Sequence, residues 1–213
     1  MRVIEERIDS ADPALPLVKE WIADSSTSCE VLPPSQDKAH VLVGLQVTTG
    51  SIMGAIAYET GGLLIDRGWL RILGSGHPRL TRNIVDWNER RSSGFLLVAD
   101  DAVGGYFAIN GGALGEDSRS MYYWAPDTLL WEPLEMGYSA FIEWSLSERL
   151  AKFYADLRWP GWEADLESVH ADQCFNFYPF LWTKEGSVQG SSRKAIDTSA
   201  QYSLNVELAS QIN

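Results

Sequence analysis

Cysteine is scarce: Cys29 and Cys174 are the two in 213 residues, too few and too widely spaced for a disulfide framework. Both are expected as reduced, semi-buried thiols of a cytoplasmic protein. Long hydrophobic runs are lacking as well. The longest weakly polar stretch, Val41 to Tyr58, is interrupted by Gln46, Thr48, Thr49, Gly50 and Ser51, whereas a bilayer span needs roughly 20 apolar residues. The opening Met1-Arg2-Val3-Ile4-Glu5-Glu6-Arg7 is too charged for a secretory leader. Positive charge is in short supply: 17 Lys and Arg face 29 Asp and Glu, a net charge of −12. Such a surface repels phosphate backbones, which excludes general nucleic-acid binding. No membrane partner is expected either.

The usual signatures of chemistry are also missing. His40, His77 and His170 are scattered, with neither an HExxH pair nor a paired-cysteine motif, so no metal is assigned. No serine lies in a GxSxG elbow, and Cys174 within Asp172-Gln173-Cys174-Phe175-Asn176 matches no protease signature. No catalytic residue and no cofactor are therefore assigned.

Aromatic area is what the chain has in plenty. Nine Trp, eight Tyr and seven Phe rule out disorder, and a chain of this length buries well over half of its unfolded surface. Apolar spacing predicts a helix over Asp12 to Asp24 with Pro13 in its first turn, and a strand over Cys29 to Leu32. Val41 to Leu45 is rich in β-formers, with helix as the alternative. Ser51 caps a second helix reaching about Glu59. Leu63–Ile65 and Trp69–Leu73 read as a hairpin, followed by a loop from Gly74 to Pro78 and a short helix over Leu80 to Trp87.

Phe95–Ala99 and Tyr106–Ile109 are strands around a turn containing Asp100-Asp101 and Gly104-Gly105. Met121–Trp124 and Leu129–Trp131 flank the turn-forming Pro126-Asp127. From Tyr138 the period becomes helical for about five turns, with Ser139 as cap, and Trp162 to Val169 forms a further short helix. Phe175 to Leu181 reads as an aromatic strand. Strands and helices without strict alternation indicate an α+β fold, a mostly antiparallel sheet flanked by helices. One domain is expected over residues 1–190. Beyond the Gly/Ser-rich stretch Ser187 to Ser192, residues 191–213 are expected as an extension with a weak helix from Ser199 to Gln211.

Charge is unevenly distributed. Residues 67–91 hold six arginines against Asp86 and Glu89, a local +4. Within them, Arg71, Gly74, Gly76, His77, Arg79 and Arg82 form a candidate anion site, its glycine amides making a nest. Internal pairing of these arginines is the competing reading. The Asp100-Asp101 pair is assigned to turn chemistry, because adjacent strand residues point to opposite faces.

Residues 127–172 hold ten acidic residues against Arg149, Lys152 and Arg158, a local −7. Trp131, Glu132, Glu135, Trp144, Trp159 and Trp162 in this stretch are candidates for a partner surface. Carboxylates would steer a basic protein while indoles anchor it, with Trp144 and Trp162 expected at the surface.

Three strings carry a resemblance: Gly61-Gly62-Leu63-Leu64-Ile65-Asp66-Arg67-Gly68-Trp69-Leu70-Arg71-Ile72-Leu73-Gly74-Ser75-Gly76, then Phe95 to Asp101 with Gly104-Gly105, then Trp159-Pro160-Gly161-Trp162. The chain is similar, over about residues 36 to 190, to a bacterial family known as domain of unknown function 2625. That family brings no catalytic residues. More distantly, the order of helix, Gly-Gly turn, Asp-x-x-Gly-Gly, Tyr-Tyr-Trp, Trp-Glu and long helix resembles the SUKH superfamily, many of whose bacterial members act as immunity proteins that neutralise toxins. The resemblance implies a non-enzymatic cytoplasmic module binding a basic protein or toxin. The alternative is a domain or enzyme binding a small anion at the Gly74–Arg82 loop.

Overall fold

Strand segments without polar alternation, such as Leu63-Leu64-Ile65 and Leu96 to Ala99, suit a sheet covered on both faces. The chain adopts this arrangement. The computed structural model describes residues 3–212. In it α1 (Leu15–Ala23), β1 (Cys29–Leu32), α2 (Lys38–Leu45) and α3 (Ile52–Glu59) precede β2 (Gly62–Ile65), β3 (Leu70–Leu73), β4 (Phe95–Asp101), β5 (Tyr106–Asn110), β6 (Met121–Trp124) and β7 (Trp131–Pro133). Next come α4 (Tyr138–Ser145), α5 (Arg149–Phe153), α6 (Trp162–Glu167), β8 (Gln173–Tyr178), β9 (Ser192–Asp197) and α7 (Thr198–Ile212).

The first seven strands form one antiparallel meander in sequence order, and β8 and β9 form a separate antiparallel pair. The expected α+β class and single domain are thus what the chain adopts. Alternation along the strands separates two cores. Phe107 and Tyr123 face α4 and α5, meeting Phe141 and Phe153 at ring distances of 4.9–6.4 Å. Their neighbours Tyr106 and Trp124 face the other way, onto Tyr202 of α7.

Several local expectations are corrected. Val41 to Leu45 lies in a helix, because Val41 and Leu42 are fully buried in α2, which packs on α3. Packing overrides β propensity there. The first helix starts at Leu15, with Pro16 rather than Pro13 in its opening turn. Leu80 to Trp87 forms no α-helix. Asn83 Oδ1 accepts from the amides of Val85 and Asp86, and the only helical turn there is 3-10, at Asp86–Asn88.

The five-turn helix from Tyr138 is broken. Ser145 and Ser147 hydroxyls return to the carbonyls of Ile142 and Trp144, competing with helix continuation, so α4 and α5 are distinct and a 3-10 turn covers Ala155–Leu157. No side chain caps α4, whose N-cap is Gly137 rather than Ser139. Ser51 does cap α3, accepting from the Gly54 amide at 3.1 Å.

Residues 192–212 join the fold closely. β9 pairs with β8 over six residues, and Thr198, Gln201, Tyr202 and Asn205 of α7 are buried. Asp100 and Asp101 end β4 rather than occupying the turn. A register shift between Leu97 and Ala99 marks a bulge just before them.

Candidate functional site

One cross-strand row runs through all seven strands of the large sheet: Glu30, Leu64, Arg71, Asp100, Tyr106, Trp124 and Trp131 are successive partners. It lies on the face covered by β8 and α7, and it places Arg71 directly opposite Asp100. Both are buried, with Arg71 Nε 3.0 Å from Asp100 Oδ1, although that N–H is not aimed at the oxygen. Arg71 Nη2 donates to the Gln173 carbonyl at 2.6 Å.

Arg82 completes the cluster. Its guanidinium pairs with Asp100, donates from Nε to Asp172 Oδ1 at 2.9 Å, and donates from Nη2 to the Ala171 carbonyl. Burial works against the Arg82 charge, yet Asp100 and Asp172 outweigh it and raise its pKa. Asp172 is lowered despite burial, because Thr81 donates to it twice and Arg82 lies alongside. Two cations thus meet two anions inside the protein, an arrangement in which losing one member leaves a buried charge unpaired.

Asp101 points to the opposite face. Its Oδ1 accepts from the amides of Val103 and Gly105, and its Oδ2 accepts from the hydroxyls of Tyr123 and Tyr154. Burial raises the Asp101 pKa even against these donors. Gly105 is required for this approach: a Cβ there would lie 2.3 Å from the Tyr123 hydroxyl and 2.4 Å from Asp101 Oδ2. Burial likewise pushes the thiols of Cys29 and Cys174 up to about 12, with Cys29 half-buried and Cys174 buried.

The anion nest expected around Gly74 and Gly76 is not formed. The amides of Ser75 and Gly76 donate to the Thr60 and Gly61 carbonyls, and the Gly74 carbonyl accepts from Ile84. His77 Nδ1 accepts from the Arg79 amide. Arg71 and Arg82 are committed to Asp100, leaving Arg79 exposed and paired with Glu30. Arg71 and Arg79 nevertheless share a cavity of about 500 Å³ with Arg67, below α6 and the 168–171 segment. Arg67 was part of the arginine-rich stretch but was not singled out from the sequence.

The partner surface is also rearranged. Trp144 is buried, stacked over Phe141 at 5.8 Å and edge-on to Phe153, so its expected exposure is corrected. α4 turns a broad apolar arc inward because it meets both the sheet and α5. Trp159 is buried, with its indole N–H donating to Asp165 at 2.6 Å. Trp162 is half-buried, with Arg158 4.3 Å from its ring, and Trp131 is half-buried between Phe95 and Trp124. Glu132 and Glu135 are exposed.

Glu132 lines a second cleft of about 420 Å³ with Asp127 and Asp156 over Phe153, Leu157, Leu181 and Val188. Among the described residues, none of these three carboxylates forms an ion pair. Asp127 and Asp156 lay within the acidic stretch, but only folding brings them to Glu132. Among the described residues, no group of three or more His, Cys, Asp or Glu side chains could hold a metal. No helix among them is long and apolar enough to cross a membrane.

These features define an antiparallel α+β protein with a buried arginine–aspartate network and two clefts of opposite charge. The chain belongs to the family described as "Protein of unknown function DUF2625", whose model matches residues 4–201. It is 45% identical over 212 residues to "Putative uncharacterized protein YbfG" of Escherichia coli (strain K12), covering 98% of this chain and 97% of that protein. It is 39% identical over 222 residues to an "Uncharacterized protein" of Haemophilus influenzae, covering 100% and 94%. The family match extends into α7.

Proposed function

We propose that this chain is a non-catalytic protein-binding module of the cytoplasm, and that the Asp127, Glu132 and Asp156 cleft receives a basic segment of its partner. The observation supporting this reading is the unequal pairing of charge. Among the described residues, the carboxylates of this cleft lack cationic partners, while Arg71, Arg79, Arg82 and Arg158 each already meet a carboxylate. An acidic rim over Phe153, Leu157 and Leu181 suits a segment alternating Lys or Arg with an aliphatic anchor: charge steers the approach and the apolar floor holds it. The SUKH resemblance supplies the partner class, a basic toxin neutralised by this chain as its immunity protein.

The test titrates a Lys/Leu-alternating peptide, and the basic proteins encoded beside this chain's gene, at 50 and 300 mM salt. Association is expected to slow by about tenfold or more at the higher salt. The double variant Glu132→Lys, Asp156→Lys should lose most of the binding. Binding indifferent to both salt and charge reversal, or absent from every probe, overturns the reading.

A further inference from the structure

The cavity beneath α6 runs against the composition. In a chain of net charge −12, three guanidinium groups, of Arg67, Arg71 and Arg79, line it against a single carboxylate, Glu167. Leu64, Leu166 and Val169 supply apolar surface beside them. Its volume of about 500 Å³ is typical of small-ligand sites, which run from roughly 300 to 1,000 Å³.

The three cations differ in how firmly they are held. Arg71 is fixed at the back, buried on Asp100, with Nη1 as far as 3.5 Å from the Gly68 and Trp69 carbonyls. Arg79 bonds Glu30 through one terminal nitrogen and is half exposed. Arg67 lies 3.7 Å from Glu167, both largely exposed. A guanidinium carries five donors, so one carboxylate each leaves Arg67 and Arg79 able to engage another oxyanion. Both rim contacts are weak enough to be exchanged for a ligand.

The backbone at Arg67 offers a clean way to remove its side chain. Asp66 and Arg67 both have positive φ, 52° and 60°, in the tight β2–β3 turn. Asp66 belongs to a residue type that tolerates this region, and its carboxylate is held by Arg158. Arginine has no such reason to be there, since glycine would make the turn without the steric penalty. Arg90 and Arg119 share this backbone region, so the conformation of Arg67 serves as a control: glycine there keeps the turn and removes only the side chain.

We infer that this cavity binds a small organic anion. Arg67 and Arg79 grip its carboxylate or phosphate above the buried Arg71–Asp100 pair, and its apolar body rests on Leu64, Leu166 and Val169. The site is separate from the acidic cleft.

Phenyl phosphate and phenylacetate are the probes, followed by calorimetric titration and thermal shift, with phenol and inorganic phosphate as controls. At least one organic anion should bind saturably, one per chain, and raise the melting temperature. Phenol should not bind, and inorganic phosphate should bind more weakly. Arg79→Ala and Arg67→Gly should each weaken binding at least tenfold, while Arg67→Gly melts no lower than the parent without ligand, separating loss of the site from loss of the fold. Glu132→Lys should leave this binding unchanged. Absence of saturable binding by both organic anions overturns the inference, as does binding that survives both arginine variants or is matched by phenol or inorganic phosphate.

Discussion

Asp100 is the residue on which two arginines depend. Replacing it with asparagine leaves Arg82 paired with Asp172 and removes the ion pair of Arg71, and Asp100→Asn should lower stability by about 3–5 kcal/mol, measured as a shift in the urea midpoint. Asp101 should behave differently despite being equally buried. Its charged form is disfavoured by burial and its oxygens meet two amides and two tyrosine hydroxyls. The carboxamide resembles the protonated acid, so Asp101→Asn should cost clearly less than Asp100→Asn in the same measurement.

Asp172 provides a pH test. Its folded-state pKa lies below the ordinary 3.8, so its ionised form favours the native state. That contribution is complete above 3.8 and disappears as pH falls through the lowered folded value. The stability gap between parent and Asp172→Asn should therefore be widest near neutrality and close progressively below pH 3.8. A gap independent of pH would show that the Thr81 and Arg82 contacts do not depend on the charge.

At the scale of elements, α7 covers the sheet face that Tyr106 and Trp124 present. Tyr202 is the residue by which it docks, packing on both rings and donating to the Arg91 carbonyl at 2.9 Å. Tyr202→Ala should cost about 3–5 kcal/mol, seen in thermal or denaturant unfolding. A neutral substitution would mean that α7 contributes little to the core.

The antiparallel hairpins were legible in the sequence because turn formers separate short apolar runs, whereas their joining into one seven-strand meander was not; the Ser51 cap was legible from its position alone. The break within residues 138–157 was not, since Phe141, Ile142, Leu146, Leu150 and Phe153 keep a helical spacing across it. The serine back-bonds that interrupt the helix leave no trace in that periodicity. The role of residues 192–212 was hidden for a related reason. A Gly/Ser-rich stretch reads as a linker, and only the pairing of β9 with β8 shows where it leads. At the candidate sites, the internal pairing of the arginines was anticipated in kind. The cavity shared by Arg67, Arg71 and Arg79 depends on residues 166–171, distant from them in sequence, closing over it.

For the whole molecule, the surplus of negative charge should be felt as self-repulsion. The ion pairs consume most of the arginines near the sheet and leave many carboxylates unmatched, so moderate salt should stabilise the fold by screening them. The melting temperature should rise between 10 and 200 mM sodium chloride. A fall would mean that the buried and surface ion pairs outweigh the repulsion.

The seven-strand meander also bears on how the chain is made. Each strand pairs with the one just before it, so on the ribosome the sheet can grow strand by strand as the polypeptide emerges. The β8–β9 pair and α7 are translated after the meander. Until they arrive, the half-finished protein carries the aromatic face of Tyr106 and Trp124 open to the surroundings. The interval between completing the sheet and the arrival of α7 is therefore when a nascent copy is most in need of a chaperone.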